Sequence, residues 1–382
     1  MTDLAELFEL WNAAPESFDT LRATIRHWQD TELQEEALER EMTRSEERGD
    51  SSNMVVIGVS DGEEPNESEQ TVRLWLERPG RVREELGGEY SQTRVLNGQK
   101  LWVRASALGV IEQDVGGDSG FSGHHAILFS PLMIPAGAEV ELGGPSTVAG
   151  RAGIAVHASP RKKVEVIGLG LGAGGADEFE LVVDSERGIL LRIEARLGGA
   201  PFDIVEFVEI AFDEQLDPGL FELSLEPGER VRSPEELAAG REHGLTVEQA
   251  AARASFPVFI PDPVWPGAPA MVVYSKPQQQ PPSPESVHIH YSHHETKRQF
   301  SLDEKPTGTP EAVPAGFQPV DLDGVQAWVW APANQRRFMP VRVRLERDGT
   351  QVELSSQELG RDELLDIARR LVPASAEPPR FG

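Results

Sequence analysis

The chain is 382 residues long, with 36 basic against 64 acidic side chains and a formal charge of −28, a balance that repels phosphate backbones and argues against nucleic acid as a partner. It has no cysteine, which removes disulfides, thiolate nucleophiles and Cys-based metal sites. The length suits two domains, and 36 Gly with 29 Pro beside a hydrophobic fraction of 39% suits many short strands and turns better than long helices.

Leu4, Leu7, Phe8 and Trp11 recur at helical spacing and predict a short amphipathic helix closed by Pro15. FDTLRATIRHWQ (18–29) reads as a first strand and TELQEEALEREMTRSEER (31–48) as a charged helix with a solvated face. From residue 53 the period changes to two, in NMVVIGVS and then TVRLWLER, where Val72, Leu74 and Leu76 share one side. RVREELGG (81–88), TRVLNGQKLWVRA (93–105) and STVAGRAGIAVHAS (146–159) continue the strand runs, with a hairpin turn at Asn97–Gly98. GHHAILFSPLMIP (123–135) reads as a covering helix stopped by Pro135. FELVVD (179–184), ILLRIEARL (189–197) and FDIVEFVEIAF (202–212) are three successive strands.

SPEELAAGREHG (233–244) marks a boundary, with Ser233 as cap, Pro234 at the first helical position and Glu236 completing a capping box. Thr246 with Gln249 forms a second box. Strand-like MVVY, VHIHY, QAWVWA and VRVRLER then alternate with proline-rich segments; DGTQVELSS pairs back through Asp348–Gly349, and DELLDIARRLV (362–372) is a closing amphipathic helix. The expected division is a domain over 1–232, a linker helix over 233–245, a smaller α+β domain over 246–373 and a tail over 374–382.

RLWLERPGRVREEL, VLNGQKLWVR, the Pro-containing helix, TVAGRAGIAV, the Val-Asp-turn-Gly-Ile-Leu-Leu-Arg-Ile strand pair and LDPGLFEL together resemble the lipoprotein-carrier superfamily of LolA type. VEQAAARASFPVFIP, the VHIHY strand and ELGRDELLDIARRL resemble the second domain of sigma-factor regulatory proteins of RseB and MucB type. The resemblance implies a mainly β (α+β) fold: an open antiparallel half-barrel covered by short helices and lined with apolar side chains, followed by a smaller α+β domain. It also implies a hollow that takes acyl chains or senses lipoprotein or lipopolysaccharide. Such proteins work outside the cytoplasmic membrane. The N-terminus here carries Asp3, Glu6 and Glu9 where a signal peptide needs a basic and then apolar run. No segment runs long enough without a charge to span a bilayer. A complete chain is therefore expected in the cytoplasm and not as an integral membrane protein.

The period-two pattern nominates Val72, Leu74, Leu76, Leu101, Val103, Leu181, Val183, Leu191 and Ile193, with Ala195, as inward residues lining the hollow. A filled core under the helices is the alternative. GLGAGG (170–175) fits the dinucleotide fingerprint in spacing, but strand-like sequence follows where a helix must open, so it reads as a hairpin loop. GGDSGFSG (116–123) contains the Gly-Asp-Ser-Gly of trypsin-like proteases without a converging His and Asp and reads as a loop; His27 and His124 show no convergence on it. Arg151, at a strand start, is given no chemical role.

VHIHYSHH (287–294) holds four of the nine histidines. His288 and His290 share a face and are the weak metal candidates, with Glu285 and Glu295 near in sequence, while a plain hairpin is the competing reading. The function expected from all this is a non-enzymatic binding protein, without cofactor, that holds or senses a lipid, an acyl group or a hydrophobic segment. A regulatory module that binds a partner protein, or a metal-dependent hydrolase, would be the alternatives.

Overall fold

Two separate antiparallel sheets take up the period-two runs in the computed structural model, which describes residues 3–48, 67–88, 91–105, 109–115, 126–161, 174–263, 265, 269–279, 282–293, 296, 298–308, 313, 316–331 and 340–374. The expected strand at 53–60, the loop at 116–123, residues 170–173 of the glycine loop, His124, His294 and Glu295 lie outside the described residues. The chain divides into two units between Ser233 and Pro234.

In the first unit α1 (Leu4–Ala13) starts at Asp3, whose Oδ1 accepts from Glu6 N at 3.0 Å. β1 (Thr20–Asp30) and α2 (Thr31–Arg48) follow. A meander of β2 (Glu67–Glu77), β3 (Arg81–Leu86), β4 (Gln92–Asn97), β5 (Lys100–Ala105) and β6 (Gly109–Asp114) comes next. After α3 (Ala126–Phe129) and α4 (Ile134–Gly137) the chain returns as β7 (Ala138–Val148), β8 (Arg151–Pro160), β9 (Glu178–Asp184), β10 (Leu190–Leu197) and β11 (Ala200–Phe212). A two-residue β12 (Val231–Arg232) ends the unit. Sheet order is β12-β6-β5-β4-β3-β2-β1-β11-β10-β9-β8-β7. Only β12 against β6 is parallel. The long-range pairing of β1 with β11 joins the two meanders. Among the described residues the sheet stays open, with β12 and β7 as edges.

Three expectations change in detail. The segment before β7 is not one helix stopped by Pro135: it breaks into α3, a 3-10 turn at Pro131–Met133 and α4, and Pro135 lies inside α4 at its start, where a missing amide hydrogen costs no bond. The run 146–159 is a hairpin rather than a strand, because Ala149 (φ 49°) and Gly150 (φ 73°) make a tight turn with both central residues left-handed. Asn97 ends β4, pairing with Lys100, so the loop there is Gly98–Gln99.

The second unit opens with α5 (Pro234–Ala239), β13 (Arg241–His243) and α6 (Val247–Arg253), whose Thr246–Gln249 capping box is formed. β14 (Phe259–Pro261), β15 (Met271–Ser275), β16 (Gln278–Gln279), β17 (Pro282–Ser283), β18 (Ser286–His293) and β19 (Arg298–Pro306) follow. β20 (Gln318–Leu322), β21 (Val325–Trp330), β22 (Val341–Arg347), β23 (Thr350–Ser356), α7 (Arg361–Arg369) and β24 (Leu371–Pro373) complete it. Eight strands pair in the order β13-β15-β18-β19-β23-β22-β21-β20, and β14 pairs with β24. Residues 241–243, inside the span expected to be a linker helix, are an edge strand of this sheet. The closing helix stops at Arg369 instead of running to 372, since Leu371 is buried and its segment bonds to β14. One face of the sheet packs with α6 and α7 over Val287, Ile289, Tyr291, Phe300, Leu302 and Leu354.

Candidate functional site

The register of the first sheet shows which side chains share a side, because directly paired residues point the same way. One row runs Ile210–Ala23–Leu74–Glu84–Arg94–Val103–Ile111, and the next runs Phe212–Leu21–Leu76–Val82–Leu96–Leu101. On the other side of β1 the row Val205–Ile193–Leu181–Val156 carries the same face across β11, β10, β9 and β8. A bulge at Val208, opposite the Thr24/Ile25 step, keeps Phe207 and Ile210 on this face and leaves Val208 itself 56% exposed.

Of the nominated residues, Val72, Leu74, Leu76, Leu181, Val183, Leu191 and Ile193, with Ala195, fall into one buried cluster. Leu101 and Val103 share the face by register but remain half-buried and outside that cluster. In the Val103 row the break is polar: Glu84, 4% exposed, follows Leu74 and pairs with Arg94 at 3.2 Å, whereas the Leu101 row stays apolar through Val82 and Leu96. A second polar group sits where β1 and β11 approach α2. Buried Asp203 accepts from Gln29 Nε2 at 3.0 Å and lies 3.2 Å from His27 Nε2. Neither group was singled out from the sequence, although both fill inward positions of alternating runs, Val82-x-Glu84-x-Leu86 and Asp203-x-Val205-x-Phe207.

Short helical pieces cover this face. α1 contributes Leu7 and Trp11, α2 contributes Ala37, and the segment 127–134 adds Ile127, Leu128, Phe129 and Ile134. Two glycines seat the longer helices. A Cβ on Gly175 (φ 81°) would lie 1.7 Å from Ala37 O of α2, and one on Gly188 (φ 74°) would lie 2.3 Å from Leu10 O of α1. The last residue of the expected glycine loop is thus a helix seat. Asp177 fastens α2 further, accepting from Arg40 and Arg44 at 3.0 and 3.3 Å. These bonds and that from Gly198 N hold its carboxyl below the usual range against the opposing effect of burial. Arg151 pairs with fully buried Asp184, and Asp184 Oδ1 also accepts from Glu186 N and Arg187 N at 2.9 Å each, which fixes the β9–β10 turn.

In the second unit His288 and His290 do share a face, the one turned away from Val287, Ile289 and Tyr291. His288 Nδ1 lies 2.7 Å from Asp303 Oδ1, and His290 Nδ1 lies 3.0 Å from Ser301 Oγ. The Asp303 bond raises the His288 pKa, and burial lowers that of His290. Glu285 points the other way, into the core, where it accepts from Ser255 and from Tyr274 Oη at 2.7 Å and pushes the tyrosine up to about 12. Among the described residues no group of three or more His, Asp or Glu is placed to hold a metal ion.

Fold and face together define a protein with an open sheet whose apolar side is roofed by short helices. No family model matches the chain, and no curated protein does. Among solved structures it is similar to the MucA/MucB complex of Pseudomonas aeruginosa, at 15% identity over 97% of this chain and 100% of that one, with a TM-score of 0.34. It is also similar to lipoprotein LppX of Mycobacterium tuberculosis, at 10% identity over 56% of this chain and 99% of that one (TM-score 0.32), and to a LolA superfamily protein of Nitrosomonas europaea, at 8% identity over 56% and 96% (TM-score 0.23). These matches span both groups that the sequence motifs resemble, and they assign no residue role here. No helix among the described residues is long and apolar enough to cross a membrane. The expectation of a cytoplasmic location gains no support from these findings.

Proposed function

We propose that the chain is a non-enzymatic binding protein that holds an apolar ligand, a lipid or acyl group, between the first sheet and its helical cover. The observation that carries this reading is the apolar face running from β8 through β9, β10, β11 and β1 to β2 under a roof made of separate helical segments. A single long helix packed along the sheet would have to leave as one body. Pieces seated on glycine turns can part locally, which is what loading and release of a ligand require. Mass spectrometry of lipid extracted from detergent-free, denatured protein tests the proposal. The expected result is one lipid class in near-stoichiometric amount, or saturable uptake of N-phenyl-1-naphthylamine by protein purified empty. Protein that carries no lipid, takes up no probe and retains one stoichiometric protein partner would replace this reading with the regulatory one.

A further inference from the structure

Trp11 is fully buried, 0% exposed, in the cluster beneath the sheet, yet its indole Nε1 has no hydrogen-bond partner among the described residues. Two other indoles of the unit do have one: Trp28 donates to Glu67 at 3.4 Å and Trp102 to Glu112 at 2.7 Å. A buried donor without an acceptor is costly, and phenylalanine would fill an apolar core without incurring that cost. The ring also belongs to the helix that roofs the apolar face, stacked at a tilt 5.7 Å from Phe8.

We infer that Trp11 Nε1 donates to the carbonyl oxygen of a neutral acyl ester held under α1, so that the ligand carries an ester rather than being a plain hydrocarbon or a free fatty acid. The inference rests on the binding reading above and specifies its ligand. One neutral N–H satisfies one carbonyl lone pair. It cannot offset the desolvation of a carboxylate, which needs a cation or several donors. An alkane would leave the indole unpaired.

The test uses the full chain with nitrogen-15-labelled tryptophan and three probes of matched length: methyl laurate, tetradecane and laurate. The affinity ratio of methyl laurate to tetradecane is expected to fall about 2- to 12-fold from the wild-type chain to Trp11→Phe, the span of one net hydrogen bond, and methyl laurate is expected to bind more tightly than laurate at pH 8. One of the seven indole signals, assigned to Trp11 through bonds, should move downfield with methyl laurate and stay in place with tetradecane. Trp11→Phe should keep tetradecane binding. If no probe binds, the binding reading itself fails. If the probes bind while the Trp11 signal ignores the ester, or laurate binds tightest, the binding reading stands and this inference is overturned. The signal test holds in the wild-type chain even where Trp11→Phe does not fold.

Discussion

Glu304 offers a sharp test of the second unit. It projects from β19 into the apolar side of the sheet, between Val287 and Val352 on the flanking strands, and is 1% exposed. Among the described residues its only hydrogen-bond donor is Phe259 N, 3.0 and 3.1 Å from the two carboxyl oxygens, and no cation is paired with it. Burial therefore holds its pKa well above the ordinary carboxyl range, despite the lowering effect of that one bond. The folded state then binds the proton more tightly than the unfolded state, whose pKa is about 4.3. The stabilisation is complete below that value and is lost as pH rises toward the folded pKa, at about 1.4 kcal/mol per pH unit inside the window. Glu304→Gln has no proton to lose and keeps an oxygen for Phe259 N, while its amide hydrogens go unpaired at a cost of about 1–3 kcal/mol. The variant should be the less stable protein near pH 4.5 and should gain on wild type by that slope as pH rises. Urea unfolding of both full chains at half-unit steps from pH 4.5 to 7.5 measures the difference, and amide exchange in β18, β19 and β23 locates it. Parallel stability curves across pH 5 to 7 would refute the assignment of a buried, proton-bearing carboxyl.

The glycine seats and the Asp184 pair give two further expected outcomes. Gly175→Ala and Gly188→Ala combine a left-handed backbone with a collision against Ala37 O or Leu10 O, and each should cost about 2–5 kcal/mol. Gly98→Ala, left-handed with nothing within 4 Å, should cost only about 1–2 kcal/mol, so thermal unfolding of the three variants separates steric seating from backbone strain. Asp184→Asn leaves Arg151 without its buried partner and should destabilise the first unit by about 3 kcal/mol in urea; a change below about 0.5 kcal/mol would mean that the ion pair does not hold β8 to β9.

The strands of the first unit were legible where one face is apolar and the other charged, as in TVRLWLER, because alternation records burial directly. The helix over 31–48 was legible from its run of Glu, Gln, Leu, Ala and Arg, which are strong helix formers. Elements without that contrast were not legible. β6, which carries Val110, Ile111 and Glu112 in succession, gives no clean period, and the two residues of β12 are strand only because β6 offers them an edge. The hairpin inside 146–159 was hidden because Ala149 is not a residue that announces a left-handed turn.

The apolar face shows both the reach and the limit of sequence reasoning. Alternation identifies which side of each strand faces in, and register carried that side from β8 to β6. It does not tell how far the cover extends, which is why Leu101 and Val103 share the face with Leu74 and Leu76 yet lie beyond its packed region. The boundary is written in the same alternation. Glu84 and Arg94 occupy inward positions, and a buried carboxylate needs its guanidinium partner at that depth, so together they interrupt the row that leads to Val103. Asp203 with His27 and Gln29 marks the other end. A period-two pattern should therefore be searched for its inward charges as well as its apolar residues. On this sheet the apolar residues compose the face and the inward charges bound it.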